Sequence, residues 1–329
     1  MEQRHIELEL LAPAFLGDAE QRAAWRTPPI KAELRRWWRL AMAVQGARLA
    51  DIRQMEGQFF GTAAGDSGQR SRVRLRLAEW RKGDNNRWLQ PDSAHVRRGA
   101  HKAKEFEYLA YGRAGTKGAN DSALPAGEKA RLGVAWPAHA PGADALPDAL
   151  GLLDRLGALG GRSNNGWGSC ALIDAPGIEL DRFTRDWQDA LDEPWVHAIG
   201  RDERGPLLWQ TTASHASWDG VMHDLAEVRK GLCKESGPLR PLMSWPVTGR
   251  EGDVPLDVGG DRIPNTLRLR VVRSGPGVLR GLLFHLPCRP ADHIWTGKLR
   301  KEQRRTFPDL WRKAHAHLDA HNGLQRVNQ

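Results

Sequence analysis

Trp25-Arg-Thr-Pro-Pro-Ile-Lys-Ala-Glu-Leu-Arg-Arg-Trp-Trp-Arg39 is the stretch from which the rest of the chain can be read. Thr27 followed by Pro28 predicts an N-cap with proline at the first helical position, so a helix is expected over 28–46. Ile30, Leu34, Trp37 and Ala41 recur at helical spacing and define its apolar face. Lys31, Arg35 and Arg39 fall four residues apart and form a cationic stripe along one edge of that face. Trp38 falls at the seam between the two. Together with the partial positive charge of the helix N-terminus, this suits a phosphate backbone with bases to stack. An amphipathic surface helix with a solvated basic side would carry the same pattern.

Working outward, the helix lies between two alternating segments. His5-Ile-Glu-Leu-Glu-Leu10 reads as a strand with Ile6, Leu8 and Leu10 inward. Ser71-Arg-Val-Arg-Leu-Arg-Leu77 reads as a second strand, with Arg72, Arg74 and Arg76 opposite Val73, Leu75 and Leu77. Same-face residues on a strand lie about 6.5–7 Å apart, near the spacing of phosphates in a single strand. A structural alternative for Arg74 and Arg76 is pairing with Glu7 and Glu9 across the sheet. Residues 80–128, polar and glycine-rich, read as a long insertion. Arg131–Trp136 reads as a strand, Asp144–Leu159 as a helix, and Ser169–Ile173 as a strand. The order β-α-β-β-α-β predicts an α+β, ferredoxin-like arrangement.

The second half repeats this outline loosely, with strands expected at Leu207–Thr212, Thr266–Val272 and Val278–Leu286. Helices are expected at Trp218–Cys233 and Phe307–His321. Asn265-Thr-Leu-Arg-Leu-Arg-Val-Val272 matches the pattern of residues 71–77, so both read as arginine-edged second strands of duplicated domains. Residues 237–264 read as loop.

With 329 residues, the chain has room for two domains of ordinary size. A net charge of +9 favours an anionic partner, and most of the 49 basic residues are arginine. Arginine forks onto phosphate and stacks on bases, which fits RNA. Cys170, Cys233 and Cys288 are isolated, which argues against a zinc site or disulfide framework and for a reducing compartment. No signal pattern and no long apolar run is present, so a cytoplasmic, soluble protein without a membrane partner is expected.

Leu159-Gly-Gly-Arg-Ser-Asn-Asn-Gly-Trp-Gly-Ser169 follows one expected helix and precedes a strand. Trp167 stands where a Walker loop needs lysine, and the loop ends a helix where a dinucleotide fingerprint opens one. Backbone amides at Gly161, Gly166 and Gly168, together with Arg162, Ser163, Asn164, Asn165 and Trp167, suit a sugar-phosphate chain. A tight helix-to-strand turn is the structural alternative.

These motifs resemble the RAMP superfamily of CRISPR effector subunits, and most closely the family of first-named subunits of type III-B (Cmr) complexes. The resemblance rests on Ala12-Pro-Ala-Phe-Leu-Gly-Asp18, the Arg26–Arg39 helix, Glu56-Gly-Gln-Phe-Phe-Gly61, the Ser71-Arg-Val73 segment, the Tyr-Leu-Ala-Tyr-Gly run at 108–112 and the glycine loop. Asp261-Arg-Ile-Pro-Asn-Thr-Leu267 matches a further family segment more loosely, with Asn265-Thr266 replacing Ser-Pro. The resemblance implies two ferredoxin-like (RRM-like) RAMP domains, at 1–176 with an insertion over about 80–129, and at 177–329. It implies a non-catalytic subunit near the crRNA 3′ end that helps capture target RNA. Its partners would be crRNA, target RNA and other RAMP subunits, with no cofactor, metal or small-molecule substrate. Arg26, Lys31, Arg35, Trp38, Arg39, Arg72, residues 161–168 and Arg262 are the RNA-contact candidates.

A RAMP endoribonuclease, processing crRNA or cutting target RNA, is the alternative. His5, His95, His101 and His139 lack an evident partner in sequence. His317 and His321 make a possible metal pair without a third ligand. Asp18 is the one carboxylate in the loop where related subunits carry a cleaving aspartate.

Overall fold

The computed structural model describes residues 1–18, 20, 22–63, 68–80, 108–110, 122–246, 253 and 256–327. His95, His101 and most of the expected insertion lie outside these residues. The first half opens with β1 (Glu2–Leu10), α1 (Thr27–Val44) and α2 (Leu49–Phe60). It continues through β2 (Arg74–Leu77), β3 (Lys129–Trp136), α3 (Ala145–Leu156) and β4 (Cys170–Ile173). The four strands form one antiparallel sheet in the order β2-β3-β1-β4. Alternation fixes its two faces. Ile6, Leu8, Leu132, Val134 and Leu172 pack under α1 and α3, while Gln3, His5, Arg131, Arg74 and Arg76 lie on the other face.

After a small three-stranded sheet of β5 (Thr184–Asp186), β6 (Ile199–Asp202) and β7 (Gly205–Pro206), a second unit follows. It comprises β8 (Leu208–Thr211), α4 (Trp218–Glu235), β9 (Leu267–Gly275), β10 (Val278–His285), α5 (Lys301–Asp319) and β11 (Leu324–Arg326). Its sheet order, β11-β8-β10-β9, reproduces that of the first unit strand for strand, again antiparallel throughout. Most sequence-based boundaries move by one to three residues. The helix expected at 307–321 instead runs from Lys301 to Asp319, with Pro308 inside it and its start fixed by a capping box between Arg300 and Gln303. The helix α2 and strand β11 had not been anticipated; β11 is only three residues long and lacks a readable period.

The two sheets differ in what covers them. Leu267, Leu269, Val271 and Leu283 face α4 and α5 in the second unit's core. The opposite face carries Leu208, Leu282 and Phe284, which join the first unit's core. There the Phe284 and Trp37 rings lie 6.4 Å apart, so α1 is packed between the two sheets. The outer face of the first sheet meets the second unit only towards β4, where Ala171 packs on that unit's core, and over β2 and β3 it has no such cover among the described residues.

The expected Glu7 and Glu9 pairing with Arg74 and Arg76 is corrected by register. The strand β2 pairs with β3 and not with β1. Glu7 instead takes Lys129 at 2.7 Å, and Glu9 takes Arg273 of the second unit at 2.5 Å.

Candidate nucleic-acid interface

Helix α1 begins at Thr27, with Arg26 in the extended cap position and the two prolines in the first turn, where a missing N–H costs nothing. Arg26 Nη1 donates to the Gly17 carbonyl at 2.6 Å and ties the helix entry to the preceding loop. The cationic stripe forms, but it is partly neutralised. Arg39 and Arg35 both bond the buried Glu56 of α2, Arg39 through Nη2 at 2.6 Å. Burial works to raise the Glu56 carboxyl, but the two guanidiniums outweigh it and hold the group below the usual carboxylate range. Partial burial, reinforced by the Arg35 charge, pulls the Lys31 ammonium below its ordinary value.

Trp38 is a correction. It is fully buried, stacked on Phe59 with ring centres 5.8 Å apart, and its Nε1 donates to the Gly142 carbonyl at 2.7 Å. A seam position on an isolated helix becomes core once α2 closes over it. No ring face remains for a base.

The glycine loop turns inward. The Gly161 amide donates to the Phe15 carbonyl at 3.0 Å and the Gly168 amide to the Pro13 carbonyl at 2.8 Å. The Asn165 amide bonds the Arg162 carbonyl at 2.8 Å, and the Asn164 carbonyl accepts from the Leu269 amide at 3.0 Å. Trp167 is buried in the second unit's core, 5.1 Å from the Phe15 ring and 5.6 Å from that of Trp218. Gly166 (φ 91°) and Gly168 (φ 68°) are required by shape. A Cβ on Gly166 would lie 2.7 Å from Met222 Sδ, and one on Gly168 would collide with the Leu159 carbonyl. The expectation that these amides and Trp167 reach RNA is thus corrected: they join the β1–α1 loop to β9. Only the tip remains outward, with Arg162 exposed at φ 58° and Ser163 half-buried. Asn165 Nδ2 donates to the Leu109 carbonyl at 3.2 Å, which draws the Tyr108–Ala110 turn to the same loop.

Arg26 and the glycine loop therefore meet at the Phe15–Gly17 segment. Arg72 is exposed at the far end of α2, its amide donating to the Phe59 carbonyl at 2.9 Å. Arg262 is exposed beside Asp261, which pairs with Lys298 at 2.7 Å, and no described contact joins it to the helix or the loop. Burial near Asp18 is outweighed by the Arg22 amide, which donates to its carboxylate at 2.8 Å, and by the Arg22 charge, so its pKa falls below the usual value. Among the described residues, no group of three His, Cys, Asp or Glu side chains is placed to hold a metal ion.

Sequence reasoning had discounted Arg74 and Arg76, and had passed over Arg70 and Trp80. All four are exposed, Trp80 by 66%. The alternation that makes 73, 75 and 77 inward makes 70, 72, 74, 76 and 80 outward, so the signal was present. It was masked by the assumption that β1 and β2 are neighbours.

No protein-family model matches this chain, and no curated protein matches it in sequence. Solved structures do. Cmr1 from Pyrococcus furiosus, in its apo form, superposes with a TM-score of 0.54 at 16% identity, over 94% of this chain and 96% of that one. A chain of the type III-B Cmr-beta complex bound to cognate target RNA superposes with a TM-score of 0.50 at 11% identity, over 94% and 99%. The duplicated α+β architecture described above is therefore a fold shared with Cmr1 from Pyrococcus furiosus.

Proposed function

We propose that this chain is a non-catalytic, RNA-binding subunit of a type III-B CRISPR-Cas effector ribonucleoprotein. In this reading it sits near the crRNA 3′ end, helps capture target RNA and works in the cytoplasm beside other RAMP subunits. Its two βαββαβ units are a duplicated pair of ferredoxin-like RAMP domains, with the boundary near residues 176–177. The observation that carries the reading is the fold likeness to Cmr1, which runs nearly end to end in both chains. A net charge of +9 and the exposed arginines of the first unit support an RNA partner.

The test is binding of purified chain to single-stranded RNA of about 30–50 nucleotides, longer than the roughly 16 that one simple binding fold covers. Affinity is expected to fall steeply between low and moderate salt, as counterion release requires. The RNA is expected to be recovered intact after incubation with magnesium. Cleavage at defined positions would favour the endoribonuclease reading. Absence of binding at low salt would contradict an RNA role.

A further inference from the structure

The outer face of the first sheet carries a trough along β2. Its floor is the central strand β3, where Gly133 and Ala135 offer almost no side chain. Register sets Gln3 and His5 of β1 on one bank, directly opposite Ala135 and Gly133. Arg74 and Arg76 of β2 form the other bank, opposite the same two residues. The banks are two strand spacings apart, about 10 Å. Small residues in the middle strand between long ones on its neighbours thus make an open channel. A second depression, lined by Arg70, Arg72 and Arg74, continues it past the end of the strand. Arg74 belongs to both, so the two are one continuous surface.

The charges of this face segregate. Along β1, cations are spent on carboxylates, Lys129 on Glu7 and Glu9 and Arg273 on Glu9, and just past the end of β2 Arg131 pairs with Glu79. Along β2, no carboxylate among the described residues pairs with Arg70, Arg72, Arg74 or Arg76. The same outward series ends at Trp80, whose indole is 66% exposed on a chain that buries most of its other described tryptophans. Arg74 and Arg76, about 6.8 Å apart on the strand, with Arg70 and Arg72 before it and the open indole of Trp80 past the bend at Ala78, match an electrostatic groove that ends in a stacking platform.

We infer that β2 and its flanks, from Arg70 to Trp80, form a track for single-stranded RNA, with the arginines on successive phosphates and Trp80 beneath a base. The inference rests on the RNA-binding reading and specifies its surface. Between the banks the floor offers backbone, the Ala135 methyl and, at one end, Arg131 held by Glu79, so the track recognises the sugar-phosphate chain without reading sequence. Its free cations, and not its apolar area, select the occupant.

The full chain, the double variant Arg74→Ala/Arg76→Ala and the single variant Trp80→Ala are each titrated with labelled oligouridine of about 15 nucleotides at several salt concentrations. Circular dichroism confirms that each variant is folded. The double variant is expected to bind more weakly, with the slope of log affinity against log salt reduced by about 1.4, roughly 0.7 per phosphate contact. Trp80→Ala is expected to weaken binding roughly 5- to 150-fold with the slope unchanged. Wild-type affinity and slope in the double variant would overturn the track while leaving RNA binding by the chain intact. No RNA binding by the unmodified chain would overturn the functional reading itself. Tighter binding of polyglutamate than of oligouridine would overturn the RNA assignment in favour of an acidic protein segment.

Discussion

Two strands of this molecule carry the same pattern and use it in opposite ways. Residues 72–77 and 268–271 both alternate arginine with Val or Leu, and each lies in the edge strand of its own four-stranded sheet. On β2 the arginines face outward and stay exposed. On β9 they face the first unit: Arg270 is 1% exposed and Arg268 9%. Arg270 Nη2 donates to the Asp154 carbonyl at 2.5 Å and to the Cys170 carbonyl, while Nη1 reaches the Leu153 carbonyl at 3.4 Å. Two of these carbonyls lie at the C-terminal end of α3, where a cation complements the helix dipole. Burial lowers the pKa of both guanidiniums, that of Arg268 to about 9, with the nearby Arg36 charge adding to the effect. The lesson is that an arginine-edged strand becomes a surface track or an interdomain peg according to what the other face of its sheet meets.

The largest expected effect is at Trp38. Trp38→Ala removes a buried indole from its stack on Phe59 and is expected to cost about 3–5 kcal/mol in urea unfolding. RNA affinity per folded molecule is expected to stay unchanged. A loss of affinity without loss of stability would restore Trp38 to the binding surface.

Arg270→Met is next. It leaves three carbonyls without their donor at a buried junction, so about 3 kcal/mol of destabilisation is expected, read from the denaturation midpoint. A neutral result would show that water or repacking replaces the peg, and would weaken the contrast with β2.

A pH titration of stability probes the covered sheet from its far side. His285 Nδ1 and His315 Nε2 lie 3.0 Å apart in the second unit's core. Burial pushes the His315 imidazole down to about 3, with Arg326 adding to the shift and Asp202 and Asp319 opposing it. Burial, reinforced by His315, pushes His285 well below its ordinary value of 6.5. Below pH 6.5 the unfolded chain takes up protons that the folded chain refuses. Their contribution is therefore fully present above 6.5 and is lost as pH falls towards 3, by about 1.4 kcal/mol per pH unit for each histidine. Urea midpoints at pH 7 and pH 5 check this, and His315→Gln is expected to flatten the dependence.

The smallest effect on stability belongs to β2. Arg74→Ala and Arg76→Ala, on an open surface, are each expected to change unfolding free energy by no more than about 0.5 kcal/mol. A larger loss in thermal unfolding would mean that these arginines hold the sheet together.

Much of the architecture was legible because its signals are local. The alternation at His5–Leu10 and the helical spacing of Ile30, Leu34 and Trp37 are read without knowing any neighbour. The succession of elements was legible as well, but the strand order was not: β2 was expected beside β1 and pairs with β3. What sequence reading missed depended on distant contacts. The burial of Trp38 is decided by Phe59 and Phe60 on α2, a helix without a clear sequence signature. The fate of the glycine loop is decided by Pro13, Phe15 and Leu269, residues far from it along the chain. Glycine richness looked like access for a ligand. It is access for other backbone segments of the same protein. Arg74 and Arg76 were discounted because Glu7 and Glu9 seemed near, yet those carboxylates are taken by Lys129 and by Arg273, 264 residues from Glu9 in sequence.

The contrast between the two arginine strands is tested most directly by photocrosslinking 4-thiouridine-labelled single-stranded RNA to the intact chain and mapping the modified peptides. Crosslinks are expected within residues 70–80, with Trp80 among them, and none within 267–273. Crosslinks confined to 267–273 or to 160–169, with 70–80 clean, would contradict the assignment of the first sheet's open face to RNA.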